Sequence, residues 1–172
     1  MLGLTTLGFI HTLISLVAVA SGFYILARDH EIVLRNGIGK TYVVTTFLTA
    51  ATGLFIFQHG GFGPPHVVAI LTIVALIVGS VAATTRFYGR ASRYVQAVAF
   101  TTTILFHMIP AFNETLTRIP PGAPIASSPQ APIMQVIVAV LFVIYLAGLT
   151  LQIRWLRASP PLAQADDETV TP

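Results

Sequence analysis

Residues 67–85 read VVAILTIVALIVGSVAATT, an apolar run without a single charged side chain. An α-helix rises about 1.5 Å per residue, so the bilayer's hydrocarbon core of about 30 Å needs roughly 20 apolar residues. This run is close to that length, and Arg86 follows it directly. The stretch therefore predicts a transmembrane helix.

Four further runs pass the same test, so the sequence predicts an all-α membrane bundle of five transmembrane helices. None of the five runs contains Asp, Glu, Lys or Arg. The second run is the shortest and the richest in threonine, which makes its hydropathy the weakest evidence for a span. The predicted spans are residues 4–27, 42–58, 67–85, 94–112 and 133–153.

The composition of the whole chain also indicates a membrane protein. Hydrophobic residues make up 55% of the 172 residues. Charged residues make up 9%, whereas a typical soluble domain has about 25%. A chain this apolar cannot cover itself with polar surface and needs lipid as its solvent. Cysteine is absent, which excludes disulfides, thiolate metal ligands and cysteine nucleophiles.

The positive net charge of +3 does not indicate a nucleic-acid ligand. The basic residues stand in short connections between apolar runs rather than along one helix face. We therefore expect the lipid bilayer, and not nucleic acid, to surround this chain. Glycine-rich stripes on the spans leave open a homo-oligomer or a larger membrane complex.

The basic residues also predict the orientation, because Lys and Arg concentrate in cytoplasmic loops. In a five-span chain, only Arg118 of the nine basic residues falls on the other side. The N-terminus is then outside the cell and the C-terminus inside. We expect residues 1–157 to form the transmembrane domain, and the Pro/Ala-rich, acidic residues 158–172 to form a disordered cytoplasmic tail. The residues on the inner side are Arg28, Arg35, Lys40, Arg86, Arg90, Arg93, Arg154 and Arg157.

Four of the five histidines fall near the predicted outer face. His11 lies about seven residues into the first span, and His107 lies five residues before the end of the fourth. At the helical rise these positions are ~10 Å and ~8 Å deep. His59 ends the second span and His66 precedes the third, whereas His30 lies in an inner loop and is expected to be solvated.

Polar and small residues recur at helical spacing on three of the spans. Polar side chains in hydrocarbon normally face the bundle interior, and small residues let helices approach closely. The simplest packing turns the three stripes toward each other and brings His11 and His107 to similar depth. The stripes are Gly8, His11, Ser15, Ala18 and Gly22; Tyr42, Thr45, Thr49, Thr52 and His59; and Gln96, Thr103, His107 and Glu114.

Three kinds of site fit this pattern. The first is a b-type haem with His11 and His107 as its axial ligands. The second is a transition metal held by His11, His59, His66, His107 and Glu114, since neutral imidazole suits zinc, copper or iron. The third is a proton or small-molecule pathway in which histidine titrates. The leading hypothesis is a site near the outer face that binds haem b or a transition metal for electron transfer or metal handling.

The alternative is a non-catalytic membrane component that takes part in assembly, transport or packing. A histidine in a membrane helix can simply hydrogen-bond to a neighbouring helix. No carboxylate lies within a span to orient a catalytic histidine, and no phosphate loop, HExxH helix or nucleophile elbow is present. The sequence therefore leaves open whether the protein is an enzyme.

A resemblance to known proteins extends over most of the chain. It rests on four segments: FIHTLI (residues 9–14), FQHGGFGP (57–64), FHMIP (106–110) and ETLTRIP (114–120). They resemble a family of small, uncharacterised, multi-pass inner-membrane proteins of bacteria. The resemblance does not include the tail. It implies a location in the bacterial plasma membrane, with the outer side facing the periplasm, and it brings no ligand or activity.

Overall fold

The structure is a computed structural model, and it describes residues 5–57, 61–85 and 87–159. These ranges are all-α, as the sequence predicts, with five α-helices, one short 3-10 helix at Gly89–Ala91 and no strand. The helices are α1 (Thr6–Asp29), α2 (Gly37–Gly53), α3 (Pro64–Thr84), α4 (Ser92–Arg118) and α5 (Pro132–Ala158).

Four of the described helices are long and apolar enough to cross a membrane. They are α1, α3, α5 and the continuous segment Gly89–Arg118 that contains α4. The prediction of a membrane protein with transmembrane helices is therefore confirmed at this level. The fifth helix, α2, has 17 residues and is shorter than the others.

The second helix is displaced along the sequence from the predicted span 42–58. It begins at Gly37, because Asn36 caps it by accepting a 2.7 Å hydrogen bond from the backbone N–H of Gly39. Hydropathy missed this first turn because it contains Lys40. The helix ends at Gly53, whereas the predicted end at Gln58 lies outside the described residues.

The fourth helix extends past its predicted end at residue 112. It continues through Pro110 and ends at Arg118. Glu114 and Arg118 lie one turn apart and form a 2.6 Å ion pair, the spacing at which opposite charges support a helix. The connection to α5, which the predicted spans would begin directly after residue 112, therefore starts at Ile119.

Neighbouring helices run antiparallel. His11 of α1 lies next to Thr52 near the end of α2, and Gly22 lies next to Tyr42 near its start. The helix α3 packs along α4 and against α2, and α5 packs on the outside of α4. We refer to the starts of α1, α3 and α5 with the ends of α2 and α4 as the His66 end. The opposite end is the Arg93 end.

Two glycines let large aromatic rings lie between the helices. A Cβ atom at Gly79 of α3 would stand 2.5 Å from the ring of Phe100, and one at Gly22 would stand 2.6 Å from the ring of Tyr42. Both rings are fully buried. Small residues therefore allow close helix contacts, as the sequence indicates for α1. The core around these rings consists of Ile25, Ile32, Tyr42, Leu76, Phe100 and Ile104.

A buried ion pair ties the Arg93 end together. Glu31, which is 2% exposed, lies in the connection between α1 and α2. Arg93 of α4 donates from Nη2 to Glu31 Oε1 at 2.8 Å, and its Nε is 3.2 Å from both carboxylate oxygens. Such charge-assisted, forked contacts are among the strongest hydrogen bonds in proteins.

The same arginine also holds the end of α5. Its Nη1 donates to the carbonyl oxygens of Leu156 at 3.3 Å and Ser159 at 2.7 Å, and its guanidinium lies 5.4 Å from the centre of the Trp155 ring. A cation at a helix C-terminus also interacts favourably with the helix dipole. Arg93 therefore joins three separate segments of the chain.

We expect Glu31→Gln and Arg93→Gln each to lower the free energy of unfolding by about 3–5 kcal/mol, because each leaves the partner's charge buried and unpaired. The double variant should lose less unfolding free energy than the two single variants lose together. Unfolding of the detergent-solubilised protein measures both quantities.

The matched control is Glu114→Gln, which breaks the more exposed pair with Arg118 and should cost at most about 1 kcal/mol. Equal losses from Glu31→Gln and Glu114→Gln would contradict the role given to the buried pair.

Candidate functional site

His11 of α1 is held by a threonine of α2. Its Nδ1 lies 3.0 Å from Thr52 Oγ1, and that hydroxyl donates its own hydrogen to the backbone carbonyl of Leu48 at 2.7 Å. Because the hydroxyl hydrogen is used there, Thr52 accepts from His11, and the imidazole proton is on Nδ1. The Nε2 of a neutral His11 then has a free lone pair.

Gly53 of α2 lies between His11 of α1 and Ala69 of α3. A Cβ atom at position 53 would stand 3.4 Å from His11 Cε1 and 3.9 Å from the Cβ of Ala69 on α3. Three helices therefore meet around position 53.

His107 of α4 contacts a different threonine of α2. Its Nε2 lies 3.2 Å from Thr46 Oγ1, in a part of the bundle where both side chains are buried. Nearby, the hydroxyl of Tyr42 hydrogen-bonds to Thr103 Oγ1, which donates to the carbonyl of Phe100 at 2.7 Å. The interface between α2 and α4 thus contains a row of paired polar groups.

The two histidines do not share a level in the bundle. Thr46 and Thr52, their partners, are six residues apart, which is about 9 Å along α2. One metal ion would need a nitrogen of each ring within about 2 Å.

The contacts therefore do not support the prediction of similar depth. The observed end of the fourth helix also differs from the predicted one. We counted the depth of His107 from residue 112, but α4 continues to Arg118, so His107 lies roughly 16 Å from the helix end. His11 lies about 8 Å from the start of α1 at Thr6.

His66 stands in the first turn of α3, where it caps its own helix. The backbone N–H of Gly63 donates to His66 Nδ1 at 3.1 Å, so this nitrogen carries no proton and its lone pair is used. The proton of the neutral ring is on Nε2. A histidine ligand normally donates from its second nitrogen instead, so His66 does not fit a metal-ligand role in this arrangement.

The remaining predicted ligands do not complete a metal site. Glu114 is paired with Arg118, and its side chain is 48% exposed. His59 lies outside the described residues. Within residues 5–57, 61–85 and 87–159, no group of three or more His, Cys, Asp or Glu side chains is placed to hold a metal ion. The predicted histidine cluster is therefore not supported in the described part of the chain.

Thr46 is the site residue that the sequence pattern missed. We assigned the polar face of α2 to Tyr42, Thr45, Thr49 and Thr52, but the structure buries Thr46 and leaves Thr45 half-buried. Tyr42 and Thr46 are one helical turn apart, so the sequence does allow them to share a face of α2. Because threonines stand at both 45 and 46, the spacing alone did not decide which of the two lies on that face.

The comparisons with known proteins give no match. No family model, curated protein or solved structure matches this chain. The resemblance to bacterial inner-membrane proteins therefore stays an expectation, and the site is interpreted from its own residues.

We expect Thr46→Val and Thr52→Val each to lower the unfolding free energy by about 0.5–2 kcal/mol, because valine keeps the shape and removes the partner of His107 or His11. Thr150→Val is the matched control, since this exposed threonine of α5 bonds only to its own helix at Leu146. Thermal unfolding in detergent measures the three losses. A loss at Thr150 equal to that at Thr46 would contradict the role of these contacts.

Proposed function

We propose that this protein is a non-catalytic component of the plasma membrane, a packing, assembly or transport partner, in which His11 and His107 hold the helices together. The observation that supports this role is that each ring contacts a threonine of α2, at two different depths. In a membrane such contacts between helices contribute roughly 0.6 kcal/mol each. They complete the bundle and do not require a cofactor.

We include α2 as a fifth span, because it packs along α1 between the levels of Gly22 and His11. Its 17 residues extend for about 26 Å, slightly less than the hydrocarbon core of about 30 Å. A short span is accommodated by local thinning of the bilayer and by side chains such as Lys40 that reach the interface.

The distribution of basic residues supports an orientation with the Arg93 end in the cytoplasm. Arg118 is the one basic residue that lies at the His66 end of the described chain, and Lys and Arg favour the cytoplasmic side. The N-terminus and the His66 end are then outside, which in a bacterium is the periplasm. The described basic residues of the Arg93 end are Arg28, Arg35, Lys40, Arg90, Arg93, Arg154 and Arg157.

Cysteine labelling tests this orientation directly, because the chain has no cysteine of its own. Ser127→Cys in the connection before α5 should react in intact cells with a membrane-impermeant maleimide. Ala91→Cys before α4 should react only after the cells are opened. Both positions are exposed, so access to solvent is matched. The reverse pattern would contradict the orientation.

A cofactor bound through His11 is the second candidate function. The hydrogen bond from Nδ1 to Thr52 leaves the Nε2 lone pair free, and metal-bound histidines have the same arrangement. A b-type haem or a transition metal ligated by this nitrogen would give a role in electron transfer or metal handling.

Optical and metal analysis of the purified protein separates the two candidates. After expression with haem and metal supplied, we expect no Soret band and no stoichiometric metal. His11→Ala and His107→Ala should lower only the melting temperature. A Soret band or bound metal that is lost in His11→Ala would contradict the structural role and support the cofactor.

A further inference from the structure

His66 contains a buried hydrogen-bond donor that the described protein does not use. The backbone N–H of Gly63 donates a hydrogen bond to the lone pair of Nδ1, so the neutral ring has its proton on Nε2. The residue is only 4% exposed, and Nε2 has no hydrogen-bond partner in the structure. Buried polar groups are almost always paired, so this donor requires an acceptor from outside the described chain.

Two aromatic side chains pack on the imidazole ring of His66. Phe57 and Phe62, from the connection between α2 and α3, stack on the imidazole with ring centres 4.7 and 5.3 Å away. Their own side chains are 55% and 67% exposed. A molecule that reaches His66 therefore passes an apolar, aromatic rim.

The charges at this end favour a neutral acceptor. The sequence has one basic residue here, Arg118, and it is paired with Glu114. A phosphate or carboxylate group would thus meet no available cation among the described residues. A metal ion is also unsuitable, because neither nitrogen of His66 has a free lone pair in this arrangement.

We infer that His66 Nε2–H is the donor of a binding site for a neutral carbonyl oxygen carried by a membrane-soluble molecule. Two sources supply that chemistry: the carbonyl of a quinone ring and the ester carbonyl of a phospholipid. The inference rests on the proposed membrane placement of the His66 end and is independent of any cofactor at His11.

The test uses the full chain with ¹⁵N-labelled histidine in nanodiscs. The Nε2–H resonance of His66 is followed in diester and in diether phosphatidylcholine, and then during titration with decylubiquinone. A shift that saturates with decylubiquinone supports the site and identifies a quinone. A difference between the two lipids without a response to decylubiquinone supports the site and identifies the lipid ester.

Two variants complete the test. His66→Glu retains an acceptor for the Gly63 N–H, as in a capping box, but its carboxylate has no donor in place of the imidazole N–H. If a quinone is bound, its affinity should fall about five- to tenfold, the value of one hydrogen bond. His30→Gln, at the opposite end, should not change it. A melting temperature for each variant confirms that it is folded.

The inference is overturned if the His66 resonance is insensitive to both lipids and to decylubiquinone, since water is then the acceptor. A variant at position 66 has no His66 resonance, so its binding is read from the rise in melting temperature that decylubiquinone, or the diester lipid relative to the diether lipid, produces. The inference is also overturned if this rise is as large in His66→Glu as in the unchanged chain. A Soret band that depends on His11 would refute the proposed structural role of His11 and leave the result at His66 unaffected.

Discussion

A polar group inside an apolar bundle must find its partner within the protein, because the bilayer offers none. The pair of Glu31 and Arg93 is the strongest case. It places two charges in a nearly water-free contact and uses the remaining donors of the arginine on the end of α5. Gln96 and Gln152 act similarly by donating to the backbone carbonyls of Ile32 and His30. These contacts fix how α4 and α5 meet the connection between α1 and α2.

The same constraint explains the histidines. His11 and His107 each find a threonine on α2, so burial of the two rings needs no ligand. His66 satisfies one nitrogen through Gly63 and leaves the other without a partner. The three residues looked alike in the sequence, as imidazoles near one face of the membrane. Their hydrogen bonds distinguish them. His11 and His107 are paired within the bundle, whereas His66 needs a hydrogen-bond acceptor from outside the described chain.

The number and type of helices could be predicted because hydropathy over about 20 residues is a strong signal. The end of α4 could not be predicted in this way, since polar residues 113–118 extend the helix and include an ion pair between Glu114 and Arg118. The ion pair of Glu31 and Arg93 could not be predicted, because both residues lie in predicted loops and are 62 positions apart. The face of α2 was ambiguous between Thr45 and Thr46. The sequence thus specified the helices better than their ends and their rotation.

The hydrogen bonds of His11 and His66 fix which nitrogen of each ring carries the proton. Long-range ¹H–¹⁵N correlation of the full chain, labelled at histidine, reports which nitrogen of each neutral ring carries hydrogen. We expect the proton on Nδ1 in His11 and on Nε2 in His66. The opposite assignment at His66 would mean that Gly63 does not cap through this ring, and the argument for an unpaired buried donor would fail.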